Sequence, residues 1–235
     1  GLFGALSNWK AVVEAFSKRF TVMIPLMPIV AKTTVKPTIP DFASFIEGFI
    51  SFKKIARCTI LGNSLGGHVG LVYALNNMDK LDALVLTGSS GLFESGMGST
   101  FPRRGNYRYI KERVEYTFYN PETANKELID EVFEMVNDNY MTLRILKIAR
   151  DAQRQNLADD LGKIDVPTLL VWGLNDNITP PHVGHEFQKL LPNAELRFID
   201  HCGHAAMMEQ PEEFNKVLNN FLDKIYPVSP KQNAG

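Results

Sequence analysis

The stretch CTILGNSLGGHVGLVYAL, residues 58–75, sets one serine among glycines where an apolar strand pattern gives way to a helical one. A serine hydroxyl attacks poorly at its ordinary pKa, so a nucleophilic serine must be exposed, fixed in geometry and placed beside a base. A G-x-S-x-G turn between strand and helix supplies the first two conditions. It holds Ser64 in a strained backbone conformation, while Gly62 and Gly66 lack the β-carbons that would collide as strand and helix approach. The helix that follows opens with unpaired N–H groups and a partial positive charge, which makes Leu65 N–H the expected donor to a developing oxyanion.

Outward from this turn, strand and helix alternate. Short β-branched or aromatic runs at 19–25, 58–62, 81–88, 166–173 and 194–200 predict five strands. Helical patterns fall at 6–19, 39–54, 65–78, 181–191 and 211–225. Strict alternation implies an α/β fold, a mostly parallel sheet with helices on both faces, whose ligands bind beyond the carboxyl ends of the strands. Residues 91–164 break the alternation: they hold three helical patterns and no convincing strand, and Pro121 suits the first turn of the second. The expected division is a core of residues 1–90 and 165–235 with a helical insertion, 91–164, over the carboxyl edge of the sheet.

A nucleophilic serine demands an acid and a histidine later in the chain. Asp176 follows the apolar run 166–173, and His204 follows the run 194–200, so both lie where a parallel sheet gathers side chains. His204 is the expected general base and acid, with Asp176 fixing its tautomer. Asp200 and Asp165 are weaker choices, the first for its closeness to His204 and the second for its place at the foot of a strand. Among the other histidines, His68 reads as a packed helix residue and His182 and His185 as a solvated face, while His201 competes with His204 for the same strand end. No histidine pair has a metal spacing with carboxylates or cysteines, and no phosphate loop or dinucleotide fingerprint occurs, so neither metal nor cofactor is expected.

The bulk properties agree with a small-molecule enzyme. With 235 residues the chain can bury a substantial core. A formal net charge of -1 with mixed signs carries no footprint for nucleic acid or membrane. Cys58 and Cys202 are too few for a disulfide framework. No apolar stretch approaches the roughly 20 residues of a bilayer span. A small-molecule substrate, a cytoplasmic location and a homodimer as one open assembly are the expectations that follow.

Taken together, GNSLGG at 62–67, VWGLNDNITP at 171–180 and DHCGHAAMMEQPEEFN at 200–215 resemble the three catalytic blocks of the α/β-hydrolase superfamily, over nearly the whole chain. The resemblance implies a helical cap at 91–164. It also implies that GLFGALSNW at the start follows a His-Gly oxyanion motif, with Leu2 N–H as the second oxyanion donor. The family strand that would lie between the runs at 19–25 and 58–62 is missing from this sequence, as in a fragment. The GNS turn and the CGH block are similar to the meta-cleavage-product hydrolases, which cut a carbon–carbon bond in vinylogous diketo acids; Ala205 stands where those enzymes usually carry Trp. That likeness makes Asn63 a substrate-binding expectation, with Arg103 and Arg104 as a clamp for a substrate carboxylate. Three functions stay open: a serine hydrolase of a carboxylic ester, a carbon–carbon hydrolase of a diketo acid, and a non-catalytic ligand-binding relative.

Overall fold

The computed structural model describes residues 6–93 and 103–227. In chain order these form α1 (Lys10–Phe16), α2 (Ile39–Phe52), β1 (Cys58–Asn63), α3 (Leu65–Asn77), β2 (Leu81–Thr87), α4 (Tyr107–Glu115), α5 (Lys126–Asn137), α6 (Asn139–Arg154), β3 (Thr168–Gly173), α7 (Pro181–Leu190), β4 (Ala194–Ile199), α8 (Ala206–Glu209) and α9 (Pro211–Ile225). The strands pair in sequence order, all parallel, with Ile60 beside Leu84, Leu84 beside Thr168 and Thr168 beside Ala194.

Period-two burial explains how the sheet is covered on both faces. Leu84 and Leu86 of β2 and Leu170 and Trp172 of β3 pack with Leu71 of α3, Phe187 of α7 and Phe42 of α2. Their sequence neighbours Ala83, Val85, Leu169 and Val171 join the opposite core, with Phe16 of α1, Phe214 and Leu218 of α9 and Ile110 of α4. The two central strands are therefore apolar at nearly every position, as a parallel sheet buried on both faces requires.

Three helices, α4 to α6, stand between β2 and β3 without a strand among their described residues. Side-chain caps define them: Asn106 accepts from Tyr109 N–H, Asn125 from Leu128 N–H and Asp138 from Met141 N–H. Pro121 does not open α5. It sits in a separate short turn, Pro121–Thr123, because Asn125 is the stronger start signal and the helix begins after it.

The run at 19–25 is not a strand. Residues 21–28 carry no regular secondary structure, and β1 has only β2 beside it among the described residues. A strand exists through ladder hydrogen bonds to a neighbour, which an apolar pattern alone cannot supply. The pattern is instead satisfied by packing: Phe20 and Val22 lean on the α9 side of the core, and the Phe20 ring meets Tyr226 at 5.4 Å. Among the described residues no helix is long and apolar enough to cross a membrane.

Candidate active site

Because the strands are parallel, the carboxyl ends at Asn63, Thr87, Gly173 and Ile199 share one edge of the sheet. Ser64 stands alone between β1 and α3 at φ 53°, ψ -119°, a conformation that costs a non-glycine residue about 1–3 kcal/mol. Its backbone is held from two sides. Ser64 N–H donates to Thr87 O at 3.1 Å, and Ser64 O accepts from His68 N–H at 3.1 Å and from Ser90 N–H at 3.3 Å. Gly62 lies directly against the Gly66 carbonyl, and Gly67 against Ser89, whereas Gly66 faces open space. The close approach expected at Gly66 thus falls one residue later, because the first helical turn directs residue 67, not 66, toward the loop after β2.

Ser64 is half-buried, and its hydroxyl makes no hydrogen bond among the described residues. Its side chain also leaves the helix uncapped, so Leu65 N–H opens α3 with no intrahelical acceptor, directly after Ser64. Leu2, the other expected oxyanion donor, lies outside the described residues. Asn63 is buried, and its side-chain amide donates to Thr87 O and to His204 O, both at 3.0 Å. This places Asn63 as a tie between the end of β2 and the histidine loop.

That loop carries His204, which is 7% exposed, and its Nδ1 lies 2.8 Å from Asp176 Oδ2. Asp176 is itself buried in the turn after β3, and each of its oxygens has donors. Oδ1 accepts from Ile178 N–H at 2.8 Å and Thr179 N–H at 2.9 Å, while Oδ2 accepts from the Thr179 hydroxyl at 2.8 Å as well as from the imidazole. An acceptor-only carboxylate on Nδ1 fixes the proton there and leaves Nε2 as the ring nitrogen able to accept one. Thr179 does not stand out in the sequence; the signal available there is Asp176 itself, whose side chain accepts the N–H two residues on and closes an Asx turn that brings Thr179 to its carboxylate.

The remaining expectations sort by their contacts. Asp200 and His201 pair with each other at 3.4 Å on the exposed surface, and Asp165 accepts from Asn193 at the foot of β3. The His182 ring lies 5.9 Å from Phe93 and the His185 ring 5.0 Å from Phe198. Arg104 is engaged by Val136 O, Asn137 O and Asn139 Oδ1 at the α5–α6 corner, and the Arg103 guanidinium rests 5.8 Å from the Tyr109 ring centroid. Burial pushes the Cys202 thiol up to about 12, with the charges of Glu209 and Asp176 adding to it, so it stays protonated beside the histidine loop. His68 is completely buried, and neither ring nitrogen meets a partner of ordinary hydrogen-bond geometry. Burial pushes its pKa down to about 4 against weaker opposition from the Gln155 main chain and Asp151.

A cleft of about 660 Å³ adjoins Asp176, lined by Tyr116, Phe118, Tyr119, Leu174, Asn177 and Pro180 among others. A strained serine at a helix N-terminus and a buried histidine–carboxylate pair thus stand on the same edge of the sheet, residue types suited to acyl transfer.

Residues 9–217 match a family model described as the alpha/beta hydrolase family. A 2-hydroxy-6-oxononadienedioate/2-hydroxy-6-oxononatrienedioate hydrolase from a Pseudomonas species is 28% identical over 196 residues, which span 77% of this chain and 68% of that protein. The crystal structure of MGS-MChE2, an alpha/beta hydrolase enzyme from a sediment metagenome of the Mar Chica lagoon, is 39% identical, with a TM-score of 0.77 over 95% of this chain and 88% of its own. The meta-cleavage product hydrolase CumD of Pseudomonas fluorescens IP01 shares the fold, with a TM-score of 0.82, 20% identity, and coverage of 94% of this chain and 86% of its own.

Proposed function

Because this chain belongs to the alpha/beta hydrolase family, we propose that it is a serine hydrolase that cleaves a carboxylic ester or related acyl bond of a small, partly apolar molecule through an acyl-enzyme. The observation that carries this reading is the 2.8 Å contact between buried His204 Nδ1 and Asp176 Oδ2, on the sheet edge where Ser64 sits at positive φ. In the proposed reaction the Ser64 hydroxyl proton moves to His204 Nε2 as Oγ bonds to the substrate carbonyl carbon and the carbonyl electron pair moves onto oxygen. Leu65 N–H faces that oxyanion. Collapse breaks the carbon–oxygen bond to the alcohol, which leaves with the proton from His204. Water then gives a proton to His204 and attacks the acyl carbon, and collapse returns the proton to Ser64 as the acid departs.

Residues 91–164, with α4 to α6, form the cap in this proposal and select the substrate. A carbon–carbon hydrolysis of a diketo acid is the second reading, favoured by the named activity of the Pseudomonas relative. Against it, the guanidinium of Arg104 is engaged by main-chain carbonyls and so does not stand free to clamp a substrate carboxylate.

The test is labelling of the purified chain with a fluorophosphonate, comparing wild type with Ser64→Ala and His204→Ala. Labelling lost in both variants supports the reading, and a folded wild-type chain that takes no label refutes it. A yellow dienol bleached faster than p-nitrophenyl esters are cleaved would favour the second reading over the first.

A further inference from the structure

Four contacts join the loop that carries His204 to residues 117–120, the stretch that leaves α4. His204 N–H donates to Thr117 O at 2.9 Å. Gly203 approaches the same backbone so closely that a β-carbon would stand 2.7 Å from Thr117 O and 2.8 Å from Tyr119 N. The Tyr119 ring meets His201 edge-on with centroids 5.2 Å apart. The fourth contact is made by one carboxylate. Glu209, the last residue of α8, accepts Gly203 N–H on Oε2 and Asn120 N–H on Oε1, each at 2.6 Å.

We propose that Glu209 is a positioning residue for the base. Its two oxygens bridge the residue before His204 to the segment after α4, so a ligand that displaces 117–120 also displaces the imidazole relative to Ser64. The inference rests on the reading of Ser64 and His204 as nucleophile and base. Both arms of the bridge are charge-assisted bonds to main-chain donors, stronger than neutral ones. A carboxylate accepts on both oxygens, whereas glutamine keeps one acceptor and turns a donor against the second N–H.

The experiment compares wild type with Glu209→Gln, and with Glu209→Asp as the milder variant should glutamine prevent folding. It reads fluorophosphonate labelling of Ser64, kcat and KM on a p-nitrophenyl ester, and the low-field proton resonance of His204 Nδ1–H. Labelling and kcat are expected to fall on the order of tenfold with KM little changed, as a small misplacement of a catalytic group produces. The Nδ1–H resonance is expected to broaden or shift. A variant with a lower melting temperature but wild-type labelling and an unchanged resonance would show a purely structural bridge and overturn the proposal. A wild-type chain that takes no label refutes the hydrolase reading instead, and the proton resonance alone then decides the role of Glu209.

Discussion

Gly88 backs directly onto the His204 imidazole: a β-carbon there would stand 2.9 Å from Nδ1, and 3.1 Å from the Asp176 oxygen that Nδ1 meets. Its φ of +48° adds a conformation that alanine resists. Gly88→Ala is therefore expected to push the imidazole off its carboxylate and lower kcat on the order of a hundredfold. Steady-state kinetics beside a thermal melt check this; full activity in the variant would mean that the histidine–aspartate contact is not what the chemistry needs.

Thr179 competes with His204 for Asp176 Oδ2, both at 2.8 Å. Thr179→Val keeps the volume and removes a buried donor to a carboxylate, a loss of about 2 kcal/mol in stability. Thr179→Ser keeps the hydroxyl and should hold most of that stability. Urea unfolding of the pair decides it, and equal losses in both variants would shift the explanation to the methyl group.

His68 predicts an acid sensitivity with a definite sign. The unfolded chain takes up a proton there near pH 6.5, while burial delays the same event in the folded chain until about pH 4. Stability from this residue is present above the unfolded pKa and is lost as the pH falls through that window, by up to about 3 kcal/mol. His68→Leu removes the proton uptake and an unpartnered polar ring together, so it should be neutral or stabilising at pH 7. Denaturant melts at pH 7, 5 and 4 test this; a wild-type-to-variant difference that stays constant with pH contradicts it.

Arg104 donates to two main-chain carbonyls and to Asn139 where α5 meets α6. Arg104→Ala should cost about 1 kcal/mol, because the group is largely exposed. It should lower kcat/KM for neutral and carboxylate-bearing esters alike. A rise in KM confined to the anionic substrate would instead give Arg104 a place at the substrate.

Much of the molecule is legible in the sequence where local pattern and final environment agree. The runs that became β1 to β4 lie within a residue or two of their expected bounds, because the apolar residues that mark them are the ones the sheet buries on both faces. Asp176 and His204 were legible as pair members because each lies in the turn after such a run. The stretch at 19–25 misleads because a strand needs a neighbour and a pattern does not reveal one. Glu209 and Asn120 stand 89 positions apart, and their contact depends on how the α4 exit lies across the histidine loop. Arg103 and Arg104 announce charge but not partner, and the carbonyls that occupy Arg104 belong to a helix end some thirty residues away.

The packing of Trp172 has an optical consequence. Its indole N–H donates to Thr179 O at 2.8 Å, its ring abuts Phe187 at 5.7 Å, and it is wholly buried, while Trp9, the other tryptophan, is only partly buried. An aqueous quencher such as iodide therefore reaches one emitter more readily than the other. The emission that resists quenching is weighted toward a fluorophore bonded to the same turn that holds Asp176, so the chain carries an intrinsic gauge of that turn, readable without a label during substrate binding, acid titration or unfolding.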